Sequence, residues 1–186
     1  MIVMMKTLFK WTVDDYHAMI SANILTNRNC ELIDGEIVAV SPELPQHYST
    51  VKRGTSYLSS LLRGKADVRF NGPVTLANSE PEPDIAIVKL PDTQYDLHHP
   101  YPEDIYWLIE VANTSFDYDI SVKKRIYAEA QIPEYWVVNL NKAELMVFRK
   151  PLDSDYTIKI CWNSTVINPL AFPEVDVVVK SLMMAN

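Results

Sequence analysis

Hydrophobic and polar residues follow one another along this chain in short blocks, and the blocks predict many strands and a few helices. The clearest block is 105–111, Ile-Tyr-Trp-Leu-Ile-Glu-Val, which is apolar on both alternating faces. Such a run, rich in strand formers and too short to span a membrane, is typical of a central strand covered on both sides. A second apolar run, Ile-Ala-Ile-Val, follows Pro83-Asp84 and predicts a buried strand at 84–89.

The remaining patterns complete a mixed architecture. Asp34-Gly35 stands between two strand-like runs and predicts a hairpin over 31–38. Helical signals cover 13–25, 46–63 and 119–130. Further strands are predicted at 66–70, 73–77, 105–112, 135–140, 145–149, 156–161 and 175–180. This order predicts an α+β (mixed α/β) fold, with one central sheet and helices packed against it.

Length and composition are those of an ordinary globular protein. A chain of 186 residues with 48% hydrophobic content predicts a single domain over 1–186. The first residues are too short an apolar stretch for a signal peptide, and no run approaches the ~18 apolar residues of a membrane span. We therefore expect a cytoplasmic protein without a membrane segment. Cys30 and Cys161 lack metal-ligand spacing; free buried thiols are expected, and a disulfide stays open.

The charge balance argues against a broad, nonspecific grip on nucleic acid. The formal net charge is -7, whereas such a grip requires many lysines and arginines to neutralise phosphates. Local basic clusters at 52–53 and 123–125 remain available for a smaller contact.

Two acidic residues stand at positions where acids are unexpected. Glu110 lies in the apolar run of the central strand, where an unpaired carboxylate costs roughly several kcal/mol. Asp84 follows Pro83 at the start of another buried strand, which fixes its approach. The alternative interpretations are a polar strand end for Glu110 and an ordinary strand-entry residue for Asp84.

The helix that follows contributes a third group. Asp119, Lys123 and Tyr127 are spaced four residues apart and share one helical face. A surface pair of Asp119 with Lys123 is the simpler interpretation and would contribute only about 0.3–0.5 kcal/mol. Together with two carboxylates, however, a lysine suits phosphodiester hydrolysis: hard cations such as Mg²⁺ prefer oxygen ligands, and an ammonium can orient water or stabilise charge on phosphorus.

Four segments give the chain a resemblance to a known family. They are Glu31-Leu-Ile-Asp-Gly-Glu-Ile-Val, Ser41-Pro42 with His47, Glu82-Pro83-Asp84-Ile, and Ile109-Glu-Val followed by Asp119, Lys123, Tyr127 and Ile132-Pro-Glu-Tyr-Trp-Val-Val. Over about 10–150 they resemble the large bacterial family of putative restriction endonucleases. The order of Pro83-Asp84 and Glu110 also resembles the wider PD-(D/E)XK nuclease superfamily.

The resemblance implies a restriction-endonuclease-like fold and a metal-dependent endonuclease acting on DNA. It implies that Asp84 and Glu110 bind Mg²⁺ or Mn²⁺ and that Lys123 is the third catalytic group. In the usual superfamily pattern the lysine follows the acid by two residues, but Ala112 occupies that position here. The family resemblance places the lysine on the next helix instead, at Lys123. A homodimer would supply two active sites, although the sequence does not show one.

Several residues keep two interpretations. The resemblance suggests Glu31 as an auxiliary acid, and His47 could contact phosphate or transfer a proton, but an ordinary structural role is open for both. Asp119 could position Lys123, and Tyr127 could pack or hydrogen-bond beside it. His98-His99 has no third ligand at suitable spacing, so an exposed loop is expected there. The rival function is a catalytically silent binding or regulatory module with this fold, which Ala112 and the acidic charge favour. A small-molecule hydrolase is ranked below both.

Overall fold

The central feature of the structure is a six-stranded mixed sheet. The computed structural model describes residues 8–26, 28–162 and 165–183. Its strands, in chain order, are β1 (Cys30–Ile33), β2 (Glu36–Ala39), β3 (Asp67–Phe70), β4 (Ile85–Val88), β5 (Ile105–Ala112), β6 (Glu134–Asn139), β7 (Glu144–Leu152), β8 (Asp155–Trp162), β9 (Val166–Ile167) and β10 (Val177–Val178). The central sheet runs β3-β4-β5-β6-β7-β8. Only β5 and β6 pair in parallel within it, so the predicted mixed sheet is confirmed.

Helices cover both faces of this sheet. They are α1 (Val13–Ser21), α2 (Pro45–Leu61), α3 (Phe116–Tyr118), a π-helical segment (Asp119–Lys123), α4 (Lys124–Glu129) and α5 (Val179–Met183), with 3₁₀ turns at Asp92–Asp96 and Pro102–Asp104. One core cluster joins α2 and α5 to the sheet, and a second core cluster joins α4 to the opposite face. The parallel pair β5-β6 is connected through the α3-to-α4 segment, as a crossover requires.

Strand β5 has the double-sided burial that its sequence predicts. Trp107, Ile109 and Val111 belong to the core cluster on the α2 side. Leu108 and Ala112 belong to the cluster on the α4 side, so Glu110 also points toward α4. Strict alternation along the strand predicts that Ile105 shares the face of Trp107, and this prediction is wrong. Ile105 joins the opposite cluster, at the place where the β4-β5 register is irregular.

The hairpin of β1 and β2 forms as predicted. Asp34 and Gly35 occupy its turn with φ of 51° and 73°, the positive values that a two-residue hairpin turn requires. A Cβ on Gly35 would lie 2.8 Å from Cβ of Lys10, so only glycine fits this position. The turn fixes the hairpin register, which places Glu31 opposite Val38.

Three local predictions need correction. Residues 73–77 form no strand, because their backbone turns back on itself: the Leu76 amide donates to the Ser79 carbonyl at 2.8 Å. The helix predicted over 13–25 ends at Ser21. The predicted C-terminal strand 175–180 is reduced to Val177–Val178, after which α5 begins.

Both cysteines are free thiols. Cys30 is half-buried, whereas Cys161 is exposed, so the expectation of two buried thiols is wrong for Cys161. Within the described residues, no helix has the length and hydropathy needed to cross a membrane.

Candidate active site

Asp84 reaches across from the start of β4 to the end of β5. Its Oδ2 accepts a hydrogen bond from the backbone amide of Val111 at 2.6 Å, and Nε2 of His47 lies 3.2 Å from the same oxygen. Since Val111 directly follows Glu110, the carboxyl group of Asp84 is fixed beside Glu110 by the backbone itself.

Glu110 carries a buried carboxylate with two polar contacts. The side chain leaves the sheet on the α4 side, and the residue is 4% exposed. The hydroxyl of Tyr127 donates to its Oε1 at 2.9 Å, and Nζ of Lys123 lies 3.0 Å from the same atom. Burial raises the pKa of Glu110 well above its ordinary value, the Lys123 ammonium opposes the rise, and Asp84, Asp119 and Glu31 add to it.

Lys123 is shared by two carboxylates. Its Nζ lies 3.0 Å from Glu110 and donates to Oε1 of Glu31 at 3.3 Å. The same Glu31 oxygen accepts from the backbone amide of Glu82 at 3.1 Å, which holds the carboxylate in place. Burial alone would lower the pKa of Lys123, but Glu110 and Glu31 outweigh it and raise the pKa, so Lys123 stays an ammonium.

A π-helical turn sets the direction of Lys123. The segment Asp119–Lys123 is wider than an α-helix, with the amide of Lys124 donating to the carbonyl of Asp119. The predicted α-helix over 119–130 is therefore interrupted, as at many functional sites. Lys123 turns toward β5, while Asp119 accepts a hydrogen bond from Oγ of Ser115 at 2.7 Å. Burial raises the pKa of Asp119 to about 6, although Lys123 and the Ser115 hydroxyl lower it.

His47 joins the site from the first turn of α2. Its Nε2 faces Asp84, and its Nδ1 lies 3.7 Å from Oε2 of Glu43. Burial lowers the pKa of His47, but the hydrogen bond to Asp84 and the charges of Asp84 and Glu43 outweigh it, so the pKa is raised. Ligand atoms of Glu43, His47 and Asp84 lie within 4.8 Å of one another.

These side chains line one cleft of about 410 Å³. The carboxylates that line it are Glu31, Glu43, Glu82, Asp84, Glu110 and Asp119. Lys123 is the one lysine among the lining residues. Carboxyl groups therefore outnumber cationic groups in the cleft, an arrangement that favours a bound cation.

All seven residues singled out in the sequence are brought to this site. Six of them line the cleft, and Tyr127 contacts it through Glu110. The sequence reasoning missed Glu43, Glu82 and Asn71. The spacing of Glu82 and Asp84, two residues apart before a strand, could have indicated a shared side. Glu43 and Asn71 meet only through a 2.8 Å contact between distant segments, for which the sequence has no local signal.

The basic cluster at 123–125 does not form a patch. Nζ of Lys124 lies 2.6 Å from Asp155, and Arg125 contacts Glu129 and Asp34. These side chains are directed into ion pairs outside the cleft.

The two histidines of the 91–104 region differ in burial. His98 is exposed and stacks on Tyr101. His99 is half-buried and lies 3.9 Å from Glu80, which His17 also contacts at 2.7 Å. The expected exposed loop therefore describes His98 and is wrong for His99.

Comparison with known proteins agrees with the fold. The model of the Uma2 family, described as putative restriction endonuclease, matches residues 13–180. The chain belongs to the Uma2 family. The Uma2 match includes every residue of the candidate site, from Glu31 to Tyr127. No curated protein sequence matches the chain.

A solved structure shares the fold of this Uma2 chain. It is a putative nuclease belonging to DUF820 from Anabaena variabilis, with a TM-score of 0.61 and 15% sequence identity. The alignment covers 83% of this chain and 89% of the other. The restriction-endonuclease-like fold predicted from the resemblance is thereby confirmed.

Proposed function

We propose that this Uma2 protein hydrolyses phosphodiester bonds in DNA with the help of a divalent cation, Mg²⁺ or Mn²⁺. The observation that carries the proposal is the meeting of Asp84, Glu110 and Lys123 in one open cleft, although they come from separate segments. The family name supports the substrate, since restriction endonucleases act on DNA.

The donor set of the cleft fits a hard divalent cation. Asp84 and Glu110 offer carboxylate oxygens, which Mg²⁺ and Mn²⁺ prefer. Burial raises the pKa of Glu110, which means that the ionised carboxylate is unfavourable in this site. A bound cation would add a second positive charge beside Lys123 and stabilise the ionised form.

Two orphaned polar atoms also support the fit. Nδ1 of His47 and Oδ1 of Asn71 are buried, with no hydrogen-bond partner among the described residues. Both residues contact Glu43. Buried polar atoms without partners are rare, and a hydrated cation or an ordered water would satisfy them.

Each residue has a role that follows from its contacts. A bound divalent cation would activate water and neutralise phosphate charge. Asp84 and Glu110 would hold it, and the Val111 amide and Tyr127 hydroxyl fix the orientation of these two carboxylates. Glu31 fixes Lys123 from the opposite side. Held between Glu31 and Glu110, the Lys123 ammonium would stabilise negative charge on the phosphate oxygens.

Cleavage assays test the proposal. Supercoiled plasmid, linear duplex and single-stranded DNA would be incubated at low salt with Mg²⁺, with Mn²⁺ or with EDTA. We expect cation-dependent cutting by the wild type and none by Asp84→Asn or Glu110→Gln. Glu36→Gln is the matched control, because Glu36 is an exposed acid that pairs with Lys10.

A thermal-shift titration with the same cations separates two causes of failure. Cations that raise the melting temperature of the wild type but not of Asp84→Asn would show binding at this site. A wild type that neither cuts DNA nor responds to cations would contradict the proposal and favour the silent binding module.

A further inference from the structure

Two partly exposed aromatic residues are chain neighbours of residues that line the cleft. Tyr48 is 47% exposed and Phe70 is 38% exposed, and their ring centroids lie 5.9 Å apart at 81°. Large aromatic side chains usually bury most of their surface. Neither ring belongs to the core clusters of the described residues.

Each ring belongs to a residue that is next in sequence to a residue lining the candidate site. Tyr48 follows His47, which contacts Asp84. Phe70 pairs with Ile85, the residue after Asp84, and the neighbouring Asn71 amide donates to the Asp84 carbonyl. Adjacent strands lie roughly 5 Å apart, so the backbone of Phe70 is about one strand spacing from the backbone that carries Asp84.

The surroundings of the pair are apolar on one side and basic on the other. Leu44 and Val40 are exposed and line the same cleft. Leu44 precedes α2 as its N-cap residue, and Tyr48 and Lys52 follow it on α2 at four-residue spacing, so Tyr48 and Lys52 share one helical face. Lys52 is exposed. The Asn71 side-chain amide donates to Glu43 at 2.8 Å and so joins the segment before α2 to the segment after β3, the two elements that carry the rings.

We propose that Tyr48 and Phe70 form a stacking platform for the unpaired bases of single-stranded DNA. Aromatic rings bind any base through its π face, and a cation such as Lys52 can meet the adjacent phosphate. In a duplex, both faces of an internal base are covered by its neighbours, so the platform selects strands with unpaired bases. This inference rests on the proposed function, because it names the substrate class of the same cleft.

The charge of the chain supports a stacking mode over duplex binding. Duplex binding depends on neutralising many phosphates, while this chain has a net charge of -7. Lys124 and Arg125 are held in ion pairs away from the cleft. Stacking supplies affinity without a broad basic surface.

Fluorescence anisotropy tests the platform without requiring cleavage. A fluorescein-labelled mixed-sequence oligonucleotide would be titrated as a single strand, as a blunt duplex and as RNA, in EDTA and again in Ca²⁺. We expect the wild type to bind the DNA single strand most tightly. Tyr48→Ala and Phe70→Ala should each raise its Kd about 5- to 150-fold, the range that corresponds to stacking of one base.

Control variants separate stacking from a structural role. Tyr48→Phe keeps the aromatic face and should bind as the wild type does, whereas Tyr48→Leu, which keeps only apolar area, should bind weakly. Tyr101→Ala removes another exposed aromatic, stacked on His98 outside the cleft, and should change nothing. Thermal melting would verify that the variants are folded.

The outcomes distinguish this inference from the proposed function. Single-strand binding that is lost in Tyr48→Ala, without any cleavage by the wild type, would keep the platform and remove the nuclease. Duplex cleavage with an unchanged Kd in both alanine variants would keep the nuclease and overturn the platform. Undetectable single-strand binding, equal binding of both DNA forms, or tighter binding of RNA would also overturn it.

Discussion

Replacing Lys123 with methionine tests the electrostatic organisation of the site most severely. The ammonium lies 3.0 Å from Glu110 and 3.3 Å from Glu31, and all three side chains are buried. At an effective dielectric constant of about 20, each pair attracts by about 5 kcal/mol. Much of this offsets the cost of removing the charges from water, so the pairs add little net stability while both partners are present.

Removing only the Lys123 ammonium leaves the cost of burying the Glu110 and Glu31 carboxylates without compensation. We expect Lys123→Met to lower the free energy of unfolding by about 3–5 kcal/mol at pH 8. A loss of about 4 kcal/mol, with a urea slope of about 2 kcal/mol per molar, moves the unfolding midpoint by about 2 M. Urea denaturation followed by circular dichroism in EDTA measures this shift.

The pH dependence of the loss gives a second check. Burial raises the pKa of Glu110, and Lys123 opposes that rise, so the variant should raise it further. A carboxyl whose pKa is raised in the folded state stabilises the fold at low pH, and this contribution is lost as the pH rises through the folded pKa. The deficit of Lys123→Met should therefore shrink between pH 8 and pH 5.

Two further variants identify the cause. Lys124→Met removes the adjacent lysine, whose partner Asp155 is 65% exposed, and should cost only about 0–1 kcal/mol. Adding Glu110→Gln to Lys123→Met should restore part of the lost stability, with Glu31 still unpaired. A Lys123→Met protein within 1 kcal/mol of the wild type at pH 8 would refute the reasoning.

Three other predictions follow from single contacts. Asp119→Asn should stabilise the protein in EDTA by up to about 3 kcal/mol at pH 8, because the pKa of Asp119 is raised to about 6. This gain in stability should vanish as the pH falls below about 4. An equal gain at all pH values would contradict the prediction. Tyr127→Phe removes the hydroxyl that donates to Glu110 at 2.9 Å; we expect about 0.5–1.5 kcal/mol of lost stability and slower cleavage, and unchanged values in urea and kinetic assays would exclude the positioning role. Gly35→Ala should lower the free energy of unfolding in urea more than Gly64→Ala does. Both glycines have a positive φ, 73° and 75°, but a Cβ on Gly35 would lie 2.8 Å from Lys10, whereas the surroundings of Gly64 are open. Equal losses of stability would show that the Lys10 contact is unimportant.

The parts of the fold that sequence predicts well have local causes. Strand 105–112 and the hairpin turn at Asp34-Gly35 are both confirmed, because burial on two faces and a positive φ each restrict the residues that can occur. Segment 73–77 shows the limit of this reasoning. Val74 and Leu76 alternate like a strand and are buried, yet their amides bond to Pro81 and Ser79 within a local turn.

Seven residues of the candidate site could be singled out from the sequence, but three others and most of the contacts could not. Glu110 could be singled out because an acidic residue within an apolar strand is unusual, and the family resemblance then connected it to Lys123. The π-helical turn at Asp119–Lys123 has no signal in the helical spacing, so a pairing of Asp119 with Lys123 was one reasonable interpretation; Lys123 instead contacts Glu110 and Glu31. Glu43 and Asn71 could not be predicted, since they join the site through long-range packing of α2 against β3.

The most direct test of a metal-dependent nuclease compares wild type with Glu110→Gln in Mn²⁺-supported cleavage of end-labelled single-stranded DNA. Glutamine preserves the shape of the side chain and Lys123 keeps its contact with Glu31, so the variant should be folded, which thermal melting would verify. The account predicts cutting by the wild type that EDTA abolishes, and no cutting by the folded variant. Equal cutting by both proteins would contradict it.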